Sequence, residues 1–378
     1  MRSHYDILLV GQTPPPYHGQ AVVTAMLFEH DWGDVRVHCL RMAYSASIES
    51  VGRLAVGKLL HLGALIFKTW WAVLTKRPEV LYYLPASANK APVVRDILYL
   101  GAVRWCFPKT IFHYHAGGLP EYIDNAGWLG KLTALAYSNA DLSVEICKTA
   151  YSPGRAFRAR STTFIPNGLD VKKCERTRQE DSKLRVLFMG ALNEGKGVME
   201  ILESAQLLKA RGCEVEFQLV GAWASEEFES QVRDALTGFN LETVVTFPGV
   251  LKGHEKWQAF TNADIFFFPT HYKSENFPLV IIEAMACGLP VVTTTWRGIP
   301  QLVGNSSAAV LCDIMAPEQY ADAIEELANN AQRRKQMAEA SVEHYEAYFT
   351  RDKFIGRMEH AFRDVLNNEA ASCQNYEP

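Results

Sequence analysis

The chain has 378 residues, 48% hydrophobic and 21% charged, a globular composition long enough to bury the cores of about two domains. Eight cysteines are scattered with no C-x-x-C pair, so neither a structural zinc site nor a disulfide framework is indicated and reduced cytosolic thiols are expected. Net charge is only −4, but residues 1–168 carry 17 Lys plus Arg against 11 Asp plus Glu, giving +6, and residues 169–378 carry 21 against 31, giving −10, so the halves meet different partners or surfaces.

From the N-terminus, "MRSHYDILLVG" runs straight into an apolar strand without a signal-peptide pattern, and a cytoplasmic location is expected. The Pro-rich loop "QTPPPYHGQ" follows, where Gly19, lacking a Cβ, lets backbone approach a phosphate before the next helix. Residues 51–76 read as one helix. At about 100° per residue, Arg53, Lys58, His61, Lys68 and Lys76 share an arc of roughly 140° with Trp71 at its edge, while Leu59, Leu62, Ile66, Trp70 and Val73 face the other way, toward a sheet. The lysines interrupt the run before about 18 uncharged apolar residues accumulate, which disfavours a transmembrane span. The basic arc either meets anionic lipid headgroups, making the protein peripheral on the inner face of a membrane, or is a solvated face.

Apolar runs then alternate with helical patterns: "YDILLVG", "PEVLYYL", "KTIFHYH" and "STTFIPN", then "LRVLFMG", "EVEFQLVG", "ETVVTFPG", "ADIFFFP" and "LPVVTT". Such alternation predicts an α/β protein with two parallel sheets flanked by helices. In "IFHYHAGGLPEY", His113 and His115 share one strand face before Gly117-Gly118; they suit a catalytic or sugar-contacting histidine, or a hydrogen-bonded structural one, and lack a third ligand for a metal. The stretch 167–184 is polar and without apolar periodicity, as a linker plus domain entry should be, with Asn167 and Asp170 ordering the connection or forming an ordinary Asn-Gly turn. "LRVLFMGALNEGKGVMEIL" gives strand, turn and helix, with Lys196 at the carboxyl edge of the second sheet. It is not a P-loop, because Gly197 stands where Ser or Thr must ligate a metal, and the absence of G-x-G-x-x-G disfavours a dinucleotide dehydrogenase. Phe354, Met358, Phe362 and Val365 recur at helical spacing near the end of the chain, predicting an amphipathic helix that must dock somewhere.

The stretch "SENFPLVIIEAMACGLPVVTT" places Glu275 and Glu283 eight positions apart across a predicted helix start at Pro278, with Gly288 as its stop. The free N–H groups of that first turn suit a phosphate. Acidic side chains would repel the phosphate if they touched it, so the glutamates suit hydroxyls flanking it, the pattern of a sugar diphosphate nucleoside. E-x7-E by itself is equally met by a solvated loop residue and a surface helix charge. Ile282, Ala284, Met285 and Ala286 around Glu283 favour a carboxylate with a task. Lys196 reads either as a cation for the diphosphate or as a solvated turn lysine.

Together the Pro-rich loop with Gly19, "HYHAGG", "ADLSVEICKTAYS", "FIPNGLD", "GALNEGKG", "SENFPLVIIEAMACGLPVV" and "GIPQLV" resemble the retaining glycosyltransferases of family 4, over nearly the whole chain. The resemblance implies the GT-B architecture of two facing Rossmann-like domains: an acceptor-side domain at 1–166, a linker at 167–183, a donor-binding domain at 184–350, a helix at 351–366 crossing back to the N-terminal domain, and a flexible tail at 367–378. It implies that Glu275 contacts the donor hexose, that amides of the 276–280 segment (Asn276, Phe277, Leu279, Val280) hold sugar or diphosphate, that Glu283 binds the ribose, and that His115 and Lys196 join Glu275 as catalytic residues, with Lys196 and Gly19 also at the donor. The implied reaction is retaining transfer of a hexose-type sugar from a nucleotide-diphosphate sugar to a saccharide acceptor, in bacterial-type cell-surface polysaccharide or glycolipid assembly; a lipid-linked acceptor is expected if the basic arc of 51–76 meets lipid. No nucleic acid partner, cofactor or divalent metal is expected; the chain has no Asp-x-Asp pair. Two departures stand out: Ala191 follows Gly190 where the family commonly has Gly-Arg, and Gly19 lies between His18 and Gln20 where it often has paired glycines. The rival readings are a GT-B-fold nucleotide-sugar epimerase, a non-catalytic nucleotide-sugar-binding scaffold and a phosphorylase-like enzyme, the last needing a second cationic cluster that is not apparent.

Overall fold

The computed structural model describes residues 5–15, 18–42, 56–85, 87–148, 151–171 and 183–369. Arg53, most of the expected 167–183 linker and the tail beyond residue 369 lie outside them, as does the side chain of Lys58. Contacts divide the chain into two compact units, one of Met1–Asn167 with the segment from Asp352, the other of Gly168–Arg351.

In the first unit, strands β1 (Tyr5–Gly11), β2 (Val35–Arg41), β3 (Val80–Tyr83), β4 (Lys109–Tyr114), β5 (Leu142–Glu145) and β6 (Ser161–Phe164) form one parallel sheet in the order β2-β1-β3-β4-β5-β6. The helices are α1 (Gly19–Glu29), α2 (Val56–Lys76), α3 (Lys90–Val103), α4 (Leu119–Asn125), α5 (Gly127–Tyr137) and the short α6 (Pro153–Ala156). Right-handed crossovers explain their sides. The steps from β2 to β3, β3 to β4 and β4 to β5 all run the same way across the sheet, so α2, α3 and α5 share one face and meet Leu8, Val10, Leu81, Tyr83 and Phe112 in a single core. The step from β1 to β2 runs the opposite way and carries α1 to the other face. Within the helical core, the buried Asp96 carboxylate accepts hydrogen bonds from the Tyr83 and Tyr137 hydroxyls at 2.7 and 2.6 Å and pairs with Arg95 at 2.6 Å.

Helix α2 presents a different face than its charge pattern suggests. Leu62, Leu65 and Thr69 are the buried line, with the Thr69 and Tyr99 hydroxyls hydrogen-bonded at 2.8 Å. Leu59 and Trp70, expected against the sheet, are 57% and 42% exposed, and Leu60, Phe67, Trp71 and Leu74 point outward at 61–73% exposure. The helix is apolar around most of its circumference, so the sheet covers only one of several apolar faces, and the Thr69–Tyr99 bond marks which.

The second unit repeats the architecture with β7 (Leu184–Met189), α7 (Val198–Ala210), β8 (Val215–Val220), α8 (Glu226–Gly238), β9 (Val245–Gly249), α9 (Gly253–Thr261), β10 (Ile265–Phe268), α10 (Leu279–Ala286), β11 (Val291–Thr294), α11 (Ile299–Val303), β12 (Ala309–Cys312), α12 (Pro317–Asn329) and α13 (Ala331–Tyr348). Its parallel sheet has the order β12-β11-β10-β7-β8-β9. Counted from the unit's own first strand this is 6-5-4-1-2-3, the Rossmann order, in which the strand order reverses between β7 and β10 while every strand stays parallel. Among the described residues five cysteines are free thiols, whereas Cys287 at the end of α10 is disulfide-bonded, which departs from the expectation of reduced thiols throughout.

The last helix, α14 (Arg351–Asn367), returns to the first unit. Phe362 meets the rings of Trp32 and Tyr82 with centroids 4.8 and 5.4 Å apart, Phe354 lies 6.4 Å from the His113 ring, and Lys109 Nζ donates to the Val365 and Leu366 carbonyls near the helix end, where a cation complements the dipole. The helix thus supplies the apolar cover that the α1 face of the sheet lacks. Phe362 is fully buried, and Phe362→Ala is expected to cost about 3–5 kcal/mol. Hydrogen exchange in urea should show early loss of protection in β1, β3 and β4; unchanged protection would remove α14 from the core of this unit.

Candidate functional site

In open α/β sheets a ligand lies outside the carboxyl ends of the strands where the order reverses, which in the second unit means the loops after β7 and β10. The loop after β7 turns through Glu194–Lys196, where Asn193 Oδ1 accepts from the Lys196 backbone N–H at 3.0 Å. Gly197 follows with φ +77°, and a Cβ there would collide with the Pro269 carbonyl. A Ser or Thr is therefore barred from this position by backbone geometry. The same contact locks the two loops together: the Gly195 carbonyl accepts from His271 N–H at 2.8 Å and from the Thr270 hydroxyl at 3.3 Å.

This lock brings Lys196 and Glu275 into an ion pair, both side chains largely shielded from solvent. The ammonium also sits 5.0 Å from the Phe268 ring and 5.2 Å from the Tyr272 ring, within cation–π reach of both. Beyond Glu275, Asn276 and Phe277 are buried, with Phe277 edge-on to Phe349 at 5.8 Å, and Leu279 and Val280 form the half-buried first turn of α10. Pro278 precedes that turn and makes no side-chain cap, so no side chain of its own competes for the first amides. One and a half turns on, the Glu283 carboxylate pairs with Lys256 Nζ of α9 at 2.5 Å. Burial pushes Glu283 up from its ordinary carboxylate range, and the Lys256 charge opposes that rise.

Lys256 is a residue that sequence reasoning missed; in "GHEKWQ" nothing separates it from an ordinary helix charge. The same holds for Trp296 after β11, whose indole N–H donates to the Tyr272 carbonyl at 2.9 Å, and for Arg297, which has φ +49° and lies over the Trp296 ring at 5.5 Å. Glu200 on α7 is buried and raised by desolvation, with His271 Nδ1 at 3.8 Å.

In the first unit, Gly19 opens α1 after its cap His18, whose Nδ1 accepts from Ala21 N–H at 3.3 Å. His115 follows the carboxyl end of β4 with its ring 4.1 Å from that of His113, so the two histidines do share a face. His113 is tied to the Tyr82 hydroxyl through Nδ1 and reads as structural, whereas neither ring nitrogen of His115 has a partner among the described residues. Burial, then the neighbouring His18, pushes the His115 pKa down to about 3. Its imidazole is neutral, able to donate from one nitrogen and accept at the other. Among the described residues no group of three or more His, Cys, Asp or Glu is arranged to hold a metal ion.

Residues 172–344 match the family model described as glycosyl transferases group 1. The putative colanic acid biosynthesis glycosyltransferase WcaL of Salmonella typhimurium is 32% identical over 147 residues, 37% of this chain and 34% of that protein. The D-inositol 3-phosphate glycosyltransferase of Paenarthrobacter aurescens is 29% identical over 197 residues, 48% of this chain and 47% of that protein. The chain therefore spans less than half the length of these curated relatives. Among solved structures, sucrose-phosphate synthase of Thermosynechococcus elongatus aligns with 97% of this chain and 100% of its own at TM-score 0.73 and 16% identity. Anabaena HepE in complex with UDP aligns with 95% of this chain and 100% of its own at TM-score 0.69 and 16% identity. At these identities the likeness shows the fold, two Rossmann-like units of GT-B type.

The depressed His115 pKa has a consequence for stability with a definite sign. Unfolded, the imidazole takes up a proton below about pH 6.5; folded, it resists until about pH 3, so the first unit loses stability as pH falls through that window. Relative to His115→Phe, wild-type stability should fall by about 1.4 kcal/mol per pH unit below 6.5. Parallel stability curves for the two proteins, or an NMR titration of His115 near 6.5, would contradict the burial argument.

Proposed function

We propose that the chain is a retaining glycosyltransferase that moves a hexose-type sugar from a nucleotide-diphosphate sugar to an acceptor hydroxyl, in bacterial-type assembly of cell-surface polysaccharide or glycolipid. The observation that carries this reading is the Lys196–Glu275 pair beside the uncapped first turn of α10, where the second sheet reverses its strand order. Relatives named for colanic acid and amylovoran biosynthesis support the polysaccharide context, and HepE complexes named for UDP and UDP-glucose support a nucleotide-sugar donor. A saccharide acceptor carried on lipid fits the same context.

Without donor, Lys196 and Glu275 satisfy each other. A diphosphate offers Lys196 more negative charge than one carboxylate, so its arrival draws the ammonium away and releases Glu275 to accept from sugar hydroxyls. The amides opening α10 take phosphoryl oxygens, and Glu283, paired with Lys256, accepts from the ribose hydroxyls. Cleavage of the anomeric C–O bond builds oxocarbenium character on the sugar and negative charge on the departing diphosphate. Lys196 and the helix amides stabilise that charge without a divalent ion. Arg297 is assigned the place of the cation that Ala191 does not supply, Gly19 a phosphate contact and neutral His115 a sugar contact. The acceptor hydroxyl attacks from the side the leaving group vacates, passing its proton to the departing diphosphate oxygen as the new anomeric C–O bond forms, which gives retention.

Calorimetric titration with a panel of nucleotide sugars tests the assignment. Glu283→Ala should weaken nucleoside diphosphate and donor alike by about ten- to a hundredfold, and Glu275→Ala should weaken chiefly the sugar donor. Lys196→Ala should fold normally and lose turnover. Wild-type affinity of both glutamate variants for every nucleotide sugar would end this reading, and an epimerised donor formed without acceptor would replace it with an epimerase.

A further inference from the structure

Three helices of the first unit stand side by side, α2 against α3 and α3 against α5, and their outward surfaces are apolar to an unusual degree. On α2, Leu60, Phe67, Trp71 and Leu74 recur on one outward line. Trp105, just past α3, is 75% exposed, and Trp128 and Leu135 on α5 are 73% and 71% exposed. A soluble surface disperses such residues; here they crowd onto one layer of helices, and tryptophans lead them.

The charges on that layer have one sign. Helices α2, α3 and α5 and the turn Arg104–Cys106 contain a single carboxylate, Asp96, and it is buried beneath them in its bonds to Tyr83, Tyr137 and Arg95. Lys68, Lys76 and Lys131 are exposed. Beside α2, where the sheet ends at edge strand β2, a groove of about 470 Å³ is lined by Leu8, Leu40, Phe67, Trp71 and Ala72, with Lys68 and Lys76 also on its walls. Asp6, beside the His38 wall, is held by His38 at 2.8 Å and Arg36 at 2.9 Å.

We propose that the outward face of α2, α3 and α5 docks on an anionic lipid bilayer, with Phe67, Trp71 and Leu74 seated in the interface, the groove taking an acyl chain, and Lys68 and Lys76 meeting headgroup phosphates. Apolar and aromatic side chains flanked by lysines are what a bilayer interface selects. A second copy of this chain is the poorer occupant, because a two-fold contact would set each basic face against itself. Docking is in the plane of the surface: among the described residues no helix is long and apolar enough to cross a membrane. The inference goes beyond the transfer reaction and does not depend on it.

The full chain should sediment with vesicles of phosphatidylcholine mixed with phosphatidylglycerol, more weakly with phosphatidylcholine alone, and less as salt rises. The triple variant Phe67→Ser, Trp71→Ser, Leu74→Ser should bind about a hundredfold more weakly. Lys68→Gln with Lys76→Gln should bind roughly twenty- to thirtyfold more weakly at low salt. All five side chains point outward, so circular dichroism and melting should match wild type and separate lost docking from lost folding. Absence of wild-type binding to the anionic vesicles, or undiminished binding by the triple variant, would overturn the proposal. So would self-association of the wild type that the triple variant abolishes while neither protein binds vesicles.

Discussion

The second unit turns on a backbone contact between Gly197 and Pro269. Two loops, from strands adjacent in the sheet but far apart in the chain, approach so closely that no side chain fits at the contact, and the Gly195 carbonyl bonds across the gap. Everything chemical in this unit is referred to that point. Lys196 is held over Phe268 and Tyr272 because its turn is pinned, and Glu275 reaches it because the β10 loop is pinned to the same turn. A flexible lysine gains directional value only when its base is fixed, since the entropy of ordering its stem otherwise consumes the benefit.

The two carboxylates of the E-x7-E stretch occupy different environments eight residues apart. Glu275 lies in a loop against a lysine that two aromatic rings also attract; Glu283 lies inside a helix, desolvated, and keeps company with Lys256 from another element. Each is neutralised by a separate lysine, so the charge of one is not set by the state of the other. A ligand that displaces one lysine need not disturb the other pair.

The alternating apolar runs made the two parallel sheets legible, because strands covered on both faces are written as uninterrupted Val, Ile, Leu and Phe. Three strands escaped that logic. Strands β2 and β12 are sheet edges: "VRVHCLR" alternates with charge because one flank is open, and "AVLC" is four residues and only partly buried. Strand β5, "LSVE", is interior but carries Ser143 and Glu145, whose polarity is spent locally, Glu145 accepting from the Ser152 hydroxyl and Gly154 N–H at the start of α6. The acidic pair and Lys196 were visible because chain-local chemistry marks them. Lys256, Trp296 and Arg297 were not, since their significance comes from partners reached only through the fold. The outward face of α2 was hidden for a related reason: periodicity says that a helix has faces, not which one a sheet will cover.

The return of α14 to the first unit makes that unit discontinuous in the chain, while among the described residues the second is one unbroken stretch. Its entry and exit are stitched at one spot, where Leu169 N–H donates to the Phe349 carbonyl and Arg351 N–H to the Leu169 carbonyl, each at 2.9 Å. During synthesis from the N-terminus, the first unit is made first yet finishes second. Its α1-side apolar surface, with Tyr82 and Trp32, waits for Phe354 and Phe362 until the whole second unit has left the ribosome. At about 5–20 residues per second, that interval is on the order of ten to forty seconds. Throughout it the nascent chain presents an uncovered aromatic face, a binding opportunity for chaperones and a liability for aggregation that the finished molecule no longer displays.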